Sequence, residues 1–576
     1  MTDQKNMILA IVLSVLILLG FQFFVEQPKI DQQRQQQEQQ PSGSSPPVPG
    51  QGIAPLPGVP GSGTAAAANN REAALALTQR VRIETPRIQG SIALKGARID
   101  DVVLTDYRET LDDKSPPIHL LDPNGLQRPY YAEFGWVGAS GSTTVLPTPE
   151  TVWTADASTL TPDRPVTLSW SNGQGLTFER VVSIDRDYLF TVAQRVVNEG
   201  TDAVVVYPYG LISRGGTPEI VDFYILHEGP LGVFDDTLTE VDYTELQEDG
   251  DIERTATGGW IGITDKYWLA ALVPGQGQQW TYNFRHSQRN QDDRYQVDFL
   301  GQPQSVAPGQ SITAESRLFA GAKEVKLLDG YEERFGIANF DLAIDFGWFY
   351  FLTKPFFYVL TWLNAVLGNF GLAILGLTVI IKLVFFPLAN KSYKSMAKMK
   401  EMTPKLQEMR EKYGDDRQRL NEEMMALYKR EKINPAAGCL PILIQIPVFF
   451  ALYKTLFVSI EMRHAPFYGW IEDLSAPDPT SMFNLFGLIP WDPPQFLMIG
   501  AWPLLMGLTM FLQQKLNPQP TDPVQAKVFM FLPIMFTFLL GHFAAGLVIY
   551  WTWNNLLSIA QQWLIMRKMG IRRALS

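Results

Sequence analysis

Among 576 residues there is one cysteine, Cys439, so no intrachain disulfide braces any part of the chain. Lying at the start of an apolar run, it reads as a small packing residue. The five histidines form no HExxH pair, and there is no Walker loop, GxSxG elbow or paired-cysteine spacing. Nothing therefore points to a metal, a cofactor or an enzyme. Acidic residues are missing from the long apolar segments after residue 368. That absence weighs against a solute transporter with a periplasmic binding domain, which would show ionisable pairs at the midplane and internal repeats. An intramembrane hydrolase is disfavoured because no catalytic set is present.

What is present divides the chain, and the net charge of -11 hides the division. Met7 to Val25 is an apolar run between Lys5 and Glu26 with no small-x-small cleavage site. It reads as an uncleaved signal anchor over 1–26 with its N-terminus in the cytoplasm. Residues 27–74 are dominated by Gln, Pro, Gly and Ala, a composition that makes a flexible tether. Residues 75–340 alternate apolar and polar side chains in runs such as LTFERVVSI, broken at Asn172-Gly173, Glu199-Gly200 and Pro308-Gly309. This is the pattern of an antiparallel β-sandwich, serving either as a carbohydrate- or peptide-binding groove or as a docking module without a small ligand. Residues 341–368 are dense in aromatics and broken by Pro355, which reads as an interfacial amphipathic helix or, alternatively, a buried core helix.

From 369 to 576 the chain alternates apolar spans with charged connections. The spans fall at about 369–390, 435–459, 495–516, 528–543 and 546–566. With the anchor they make six transmembrane helices, both chain ends lying in the cytoplasm. The first of the five, NFGLAILGLTVIIKLVFFPLAN, holds Lys382 roughly 12 Å inside its Asn390 end. A charge at that depth costs roughly 2.5 to 3.5 kcal/mol, which marks a functional site unless the side chain snorkels. Residues 391–432 change character, with 12 Lys or Arg against 8 Asp or Glu, a net of +4. Thr403-Pro404 starts a helix, Tyr413-Gly414 stops it and Asn434-Pro435 ends the next, so a cytoplasmic two-helix hairpin is expected. Met396, Met399, Met402 and Met409 on its first helix, with Met424 and Met425 on its second, form a partner surface or pack the two helices together.

The polar residues of the spans cluster toward the cytoplasmic half. Thr378 and Lys382 share a face at i,i+4, Gln445 lies near mid-depth, and Gln513 and Gln514 lie near an inner end. The last span adds Asn554, Asn555, Ser558, Gln561 and Gln562. Polar groups in hydrocarbon need partners or water, so these form either a wet cavity open inward or interhelical hydrogen bonds. Lys454 is near enough to the outer end of its span to snorkel.

The runs TVIIKLVFFPLANKSYKSMAKMKEMTPKLQEM, INPAAGCLPILIQIPVFFALYKTLF, TDPVQAKVFMFLPIMFTFLL and GLVIYWTWNNLLSIAQQW resemble the YidC, Oxa and Alb family of membrane protein insertases. The whole layout resembles its Gram-negative members. The resemblance implies an inner-membrane protein with a large periplasmic domain, and a five-helix core with a hydrophilic groove open to the cytoplasm and to lipid. Lys382 stands where the family commonly has Arg, which keeps the charge and loses the bidentate fork. Thr378 matches the family's groove threonine, and Tyr550 with Trp551 match aromatics that touch the client helix. The implied partners are nascent membrane proteins, Sec translocon components, the ribosome and targeting factors, and the lipid bilayer, with no sequence-specific nucleic acid binding.

Overall fold

A computed structural model describes residues 70–568 apart from 221–225, 290–291, 414–415, 432–439, 492, 495–496 and 518–522. The expected anchor, most of the tether, Cys439 and the basic tail at Arg572 and Arg573 lie outside the described residues.

The alternating pattern folds as expected. Leu176–Ile184 buries every second residue, and its neighbour Leu189–Asn198 pairs with it antiparallel through Val192 opposite Val182. Among the described residues two sheets form, of eleven and nine strands. In the larger, Val204–Gly215 lies between Tyr130–Gly138 and Asp292–Leu300; in the smaller, Ser311–Ala322 lies between Leu189–Asn198 and Trp268–Val273. All the pairings are antiparallel except one short parallel contact, Arg82 and Ile83 against Thr159 and Leu160. The turn at Asn172-Gly173 forms because Gly173 takes φ +69° and Asn172 Oδ1 accepts from Gln174 N and Leu176 N.

Aromatics such as Trp260, Phe178 and Phe319 fill the sandwich, and its core continues into the helices through Phe357, Val458 and Ile460. The helix Val325–Phe335 follows the last strand. Nine helices then succeed it among the described residues: α1 (Tyr350–Leu367), α2 (Phe370–Val384), α3 (Phe386–Glu401), α4 (Thr403–Tyr413), α5 (Arg417–Arg430), α6 (Leu440–Val458), α7 (Ala501–Leu516), α8 (Pro523–Leu540) and α9 (Ala545–Lys568). The first N–H groups of α9 do not go unpaired, since Ala545 N and Gly546 N donate to the carbonyls of Ala476 and Leu474.

Several expectations need correction. Pro355 does not break its helix: α1 runs through it, because a proline so near the N-terminus removes a single early hydrogen bond. One face of α1 buries Thr353, Phe357 and Leu360, and Phe351 and Trp362 stand exposed. Residues 369–390 are not one straight helix. α2 and α3 meet at 71°, where Pro387 lacks the N–H that would continue the ladder and its ring would crowd the Leu383 carbonyl. Among the described residues no single helix is both long and apolar enough to cross a membrane, although this bent pair passes jointly. Lys454 does not snorkel: its Nζ lies 2.6 Å from the Asp345 carboxylate and 3.2 Å from the Asp345 carbonyl.

The expected hairpin corresponds to α4 and α5, with Asp416 capping the second helix through Arg419 N at 3.1 Å. Met402, Met409 and Met424 pack these two helices together with Leu406 and Leu427. Met396 belongs to α3 and packs with Tyr393 against Ile565 of α9. Met399 is half-buried on α3, and Met425 is exposed on α5.

Candidate functional site

The bend between α2 and α3 puts Lys382 in the last turn of α2, where the carbonyl end of the helix dipole favours a cation. Lys382 Nζ donates to Ser558 Oγ at 2.7 Å, and Ser558 Oγ in turn donates to the Asn554 carbonyl at 2.8 Å. Among the described residues no carboxylate forms an ion pair with Lys382, and its hydrogen-bond partner is a neutral hydroxyl. A half-buried cation with only a hydroxyl beside it retains most of its attraction for an anion.

Lys382 borders a cavity walled by four helices. Tyr393 comes from α3, Gln445 from α6, and Tyr550 and Asn554 from α9. About 60 Å³ is open to the centres of water-sized molecules, room for roughly four waters at 10–15 Å³ each. Tyr550 and Asn554 are almost fully buried, and Asn554 Nδ2 has no hydrogen-bond partner among the described residues. A buried amide donor without a partner beside an uncompensated cation offers two groups to a polar, electron-rich guest.

The remaining expected residues sit elsewhere. Thr378 is buried one turn deeper in α2, where its hydroxyl donates to the Ile374 carbonyl at 2.7 Å. Asn555 Nδ2 donates to Thr509 Oγ1 at 3.2 Å and ties α9 to α7. Gln513 is half-buried on α7 and does not line the cavity. Trp551 packs edge-on to Phe449 with ring centroids 4.8 Å apart, and 6.1 Å from Phe536, joining α6 to α8. Tyr393 and Leu388 of α3 line the cavity without having been expected there. The signal for them is Pro387, which turns the following residues across the mouth of the site. Among the described residues no group of three or more His, Cys, Asp or Glu is placed to hold a metal.

Comparison with known proteins gives the family. A family model described as the YidC periplasmic domain matches residues 80–359, and one described as the 60Kd inner membrane protein matches 362–572. The membrane protein insertase YidC of Methylobacterium radiotolerans is 52% identical over 595 residues, covering 99% of this chain and 96% of the relative. That of Bradyrhizobium diazoefficiens is 52% identical over 600 residues, with 99% and 97% covered. A crystal structure of an active YidC insertase with the first transmembrane domain resolved aligns with 84% of this chain and 92% of that one, at 17% identity and a TM-score of 0.34. Matched by both family models and by relatives along nearly its whole length, the chain belongs to the YidC family of inner membrane proteins.

Proposed function

We propose that this insertase receives a polar segment of a nascent membrane protein in the Lys382 cavity while the apolar part of the client passes into lipid. Lys382, Gln445, Tyr550, Asn554 and Ser558 hold the segment briefly, which shortens the apolar barrier it must cross. The client helix leaves beside α6 and α8, whose outward faces carry exposed Ile446, Phe450, Phe531 and Ile534. Its transfer to lipid supplies the driving force, roughly 0.3 to 0.6 kcal/mol for each Leu-type residue. The membrane potential adds about 2.3 kcal/mol per elementary charge per 100 mV when an acidic tail moves outward. This chain consumes no nucleotide in the process.

In this reading the chain spans the inner membrane six times, with both termini and the hairpin in the cytoplasm and the sandwich in the periplasm. The exposed Met425 of the hairpin meets ribosome, targeting factor or client, and the sandwich docks a Sec translocon component. The bent α2–α3 pair is then a span whose inner half tilts along the surface. What supports the mechanism most is a single observation: the cation's bond to a neutral hydroxyl in a cavity whose wall also carries a free amide donor. The test is reconstitution of the purified protein in liposomes with a short single-span client. Protease protection of the client well above that in empty liposomes is expected; protection no better than in empty liposomes contradicts autonomous insertion.

A further inference from the structure

The connection from α6 to α7 ends in a loop whose chemistry the insertion mechanism does not use. Over 483–491 it reads FNLFGLIPW, without a charge. Its large side chains face outward: Leu488 is 83% exposed, Leu485 53% and Phe486 51%, with Phe483, Ile489 and Trp491 also exposed. Leu485 and Phe486 are consecutive residues in the left-handed region, at φ 49° and 58°, which bulky side chains avoid. In water this strain would gain nothing, because it turns apolar groups toward solvent.

The base of the loop is firmly built. Asp478 is buried and accepts from Trp470 Nε1 at 3.1 Å, Thr480 Oγ1 at 2.7 Å and Trp502 N at 2.9 Å. Thr480 Oγ1 accepts from Ala501 N at 3.0 Å, so the same group closes the N-terminus of α7. Within the loop, Phe486 N donates to the Ser481 carbonyl at 2.8 Å and Ile489 N to the Asn484 carbonyl at 3.0 Å, while Met482 N donates to the Ile499 carbonyl at 3.0 Å. A rigid base therefore holds an apolar tip beside the first turn of α7.

We propose that loop 482–491 is a fixed wedge seated in the acyl layer of the outer leaflet, where it holds α7 at a set depth. The inference rests on the reading of α7 as a bilayer helix. Three observations favour lipid as the occupant. The helix to which the loop's base is tied, α7, turns Leu505, Leu508 and Leu512 outward as well. The indole rings of Trp470 and Trp491 flank the tip near its polar base, as aromatic side chains do at headgroup level. From Leu485 to Pro490 the tip carries no charge and no polar side chain on which a protein partner would find specificity.

The test uses the full chain with Cys439→Ser and a single NBD-labelled cysteine, reconstituted in nanodiscs with or without acyl-chain nitroxide lipids. Leu488→Cys probes the wedge, Leu508→Cys the face of α7, and Asp163→Cys a water-exposed turn of the sandwich. Quenching of at least two-fold at 488 and 508, with none at 163, is expected. Quenching at 508 without quenching at 488 overturns the wedge alone, and blue-shifted but unquenched emission at 488 overturns it by showing a protein cover. Absence of quenching at both 508 and 488 overturns the bilayer placement of α7 and the wedge with it.

Discussion

Lys382 is held by one short bond to a serine hydroxyl, and this decides what the position tolerates. A guanidinium keeps the charge and reaches the same wall, so Lys382→Arg is expected to retain insertion within about two-fold; a collapse of activity in the reconstituted assay would mean a cavity fitted to an ammonium. The lysine was legible as a cation in an apolar run, as were Gln445 and Asn554 as polar groups at depth, whereas Tyr550 was reached only through the family resemblance. Which polar groups of α9 face the cavity was less legible. Tyr550, Asn554 and Ser558 recur every four residues and share one face, whereas Trp551 and Asn555 are each turned by about 100° toward α6, α7 and α8. Depth along a helix can be counted from a sequence, but the direction a residue faces depends on neighbours that only folding supplies.

Among the elements, α7 and α8 approach closely at Gly507. A Cβ there would lie 2.0 Å from Thr537 Oγ1, which is itself held by its 2.7 Å bond to the Pro533 carbonyl. Gly507→Ala is expected to destabilise the full chain by about 1 to 3 kcal/mol, read as earlier loss of the monodisperse peak after heating. Adding Thr537→Ala should recover most of the loss; no recovery would place the strain elsewhere. Proline is where the elements were hardest to read. Pro355, Pro447 and Pro533 lie inside helices, while Pro387 ends one and begins another. The ring removes one N–H in each case, so what differs is whether packing on either side offers a new direction. At Pro387, Tyr393 and Met396 pack against Ile565 and reward the turn.

On the scale of the molecule, the sandwich and the helices share one core and a set of polar ties. Arg463 donates to the Arg108 carbonyl at 2.7 Å, and Glu461 Oε1 accepts from Val325 N at 3.2 Å. Burial pushes the Glu461 carboxyl up to about 7, and its Oε2 finds no partner among the described residues. A carboxyl raised in the fold above its unfolded value near 4.3 contributes stability below that value and loses it as pH rises through about 7. Glu461→Gln keeps an acceptor for Val325 and removes the titration. The variant should gain on the unmodified protein by up to about 3 kcal/mol between pH 5 and pH 8.5 in thermal unfolding; a constant difference would mean that Glu461 does not titrate there. The two-part plan, a sandwich followed by helices, was legible from period-two runs giving way to long apolar ones. The ties between the parts were not, because Arg108 and Arg463 meet across 355 residues. The central claim, that the Lys382 charge receives translocating polar segments, is tested most directly by protease protection of two clients differing only in an acidic or neutral translocated tail. Lys382→Ala should reduce insertion of the acidic client several-fold more than that of the neutral one, and equal loss for both would contradict the electrostatic role.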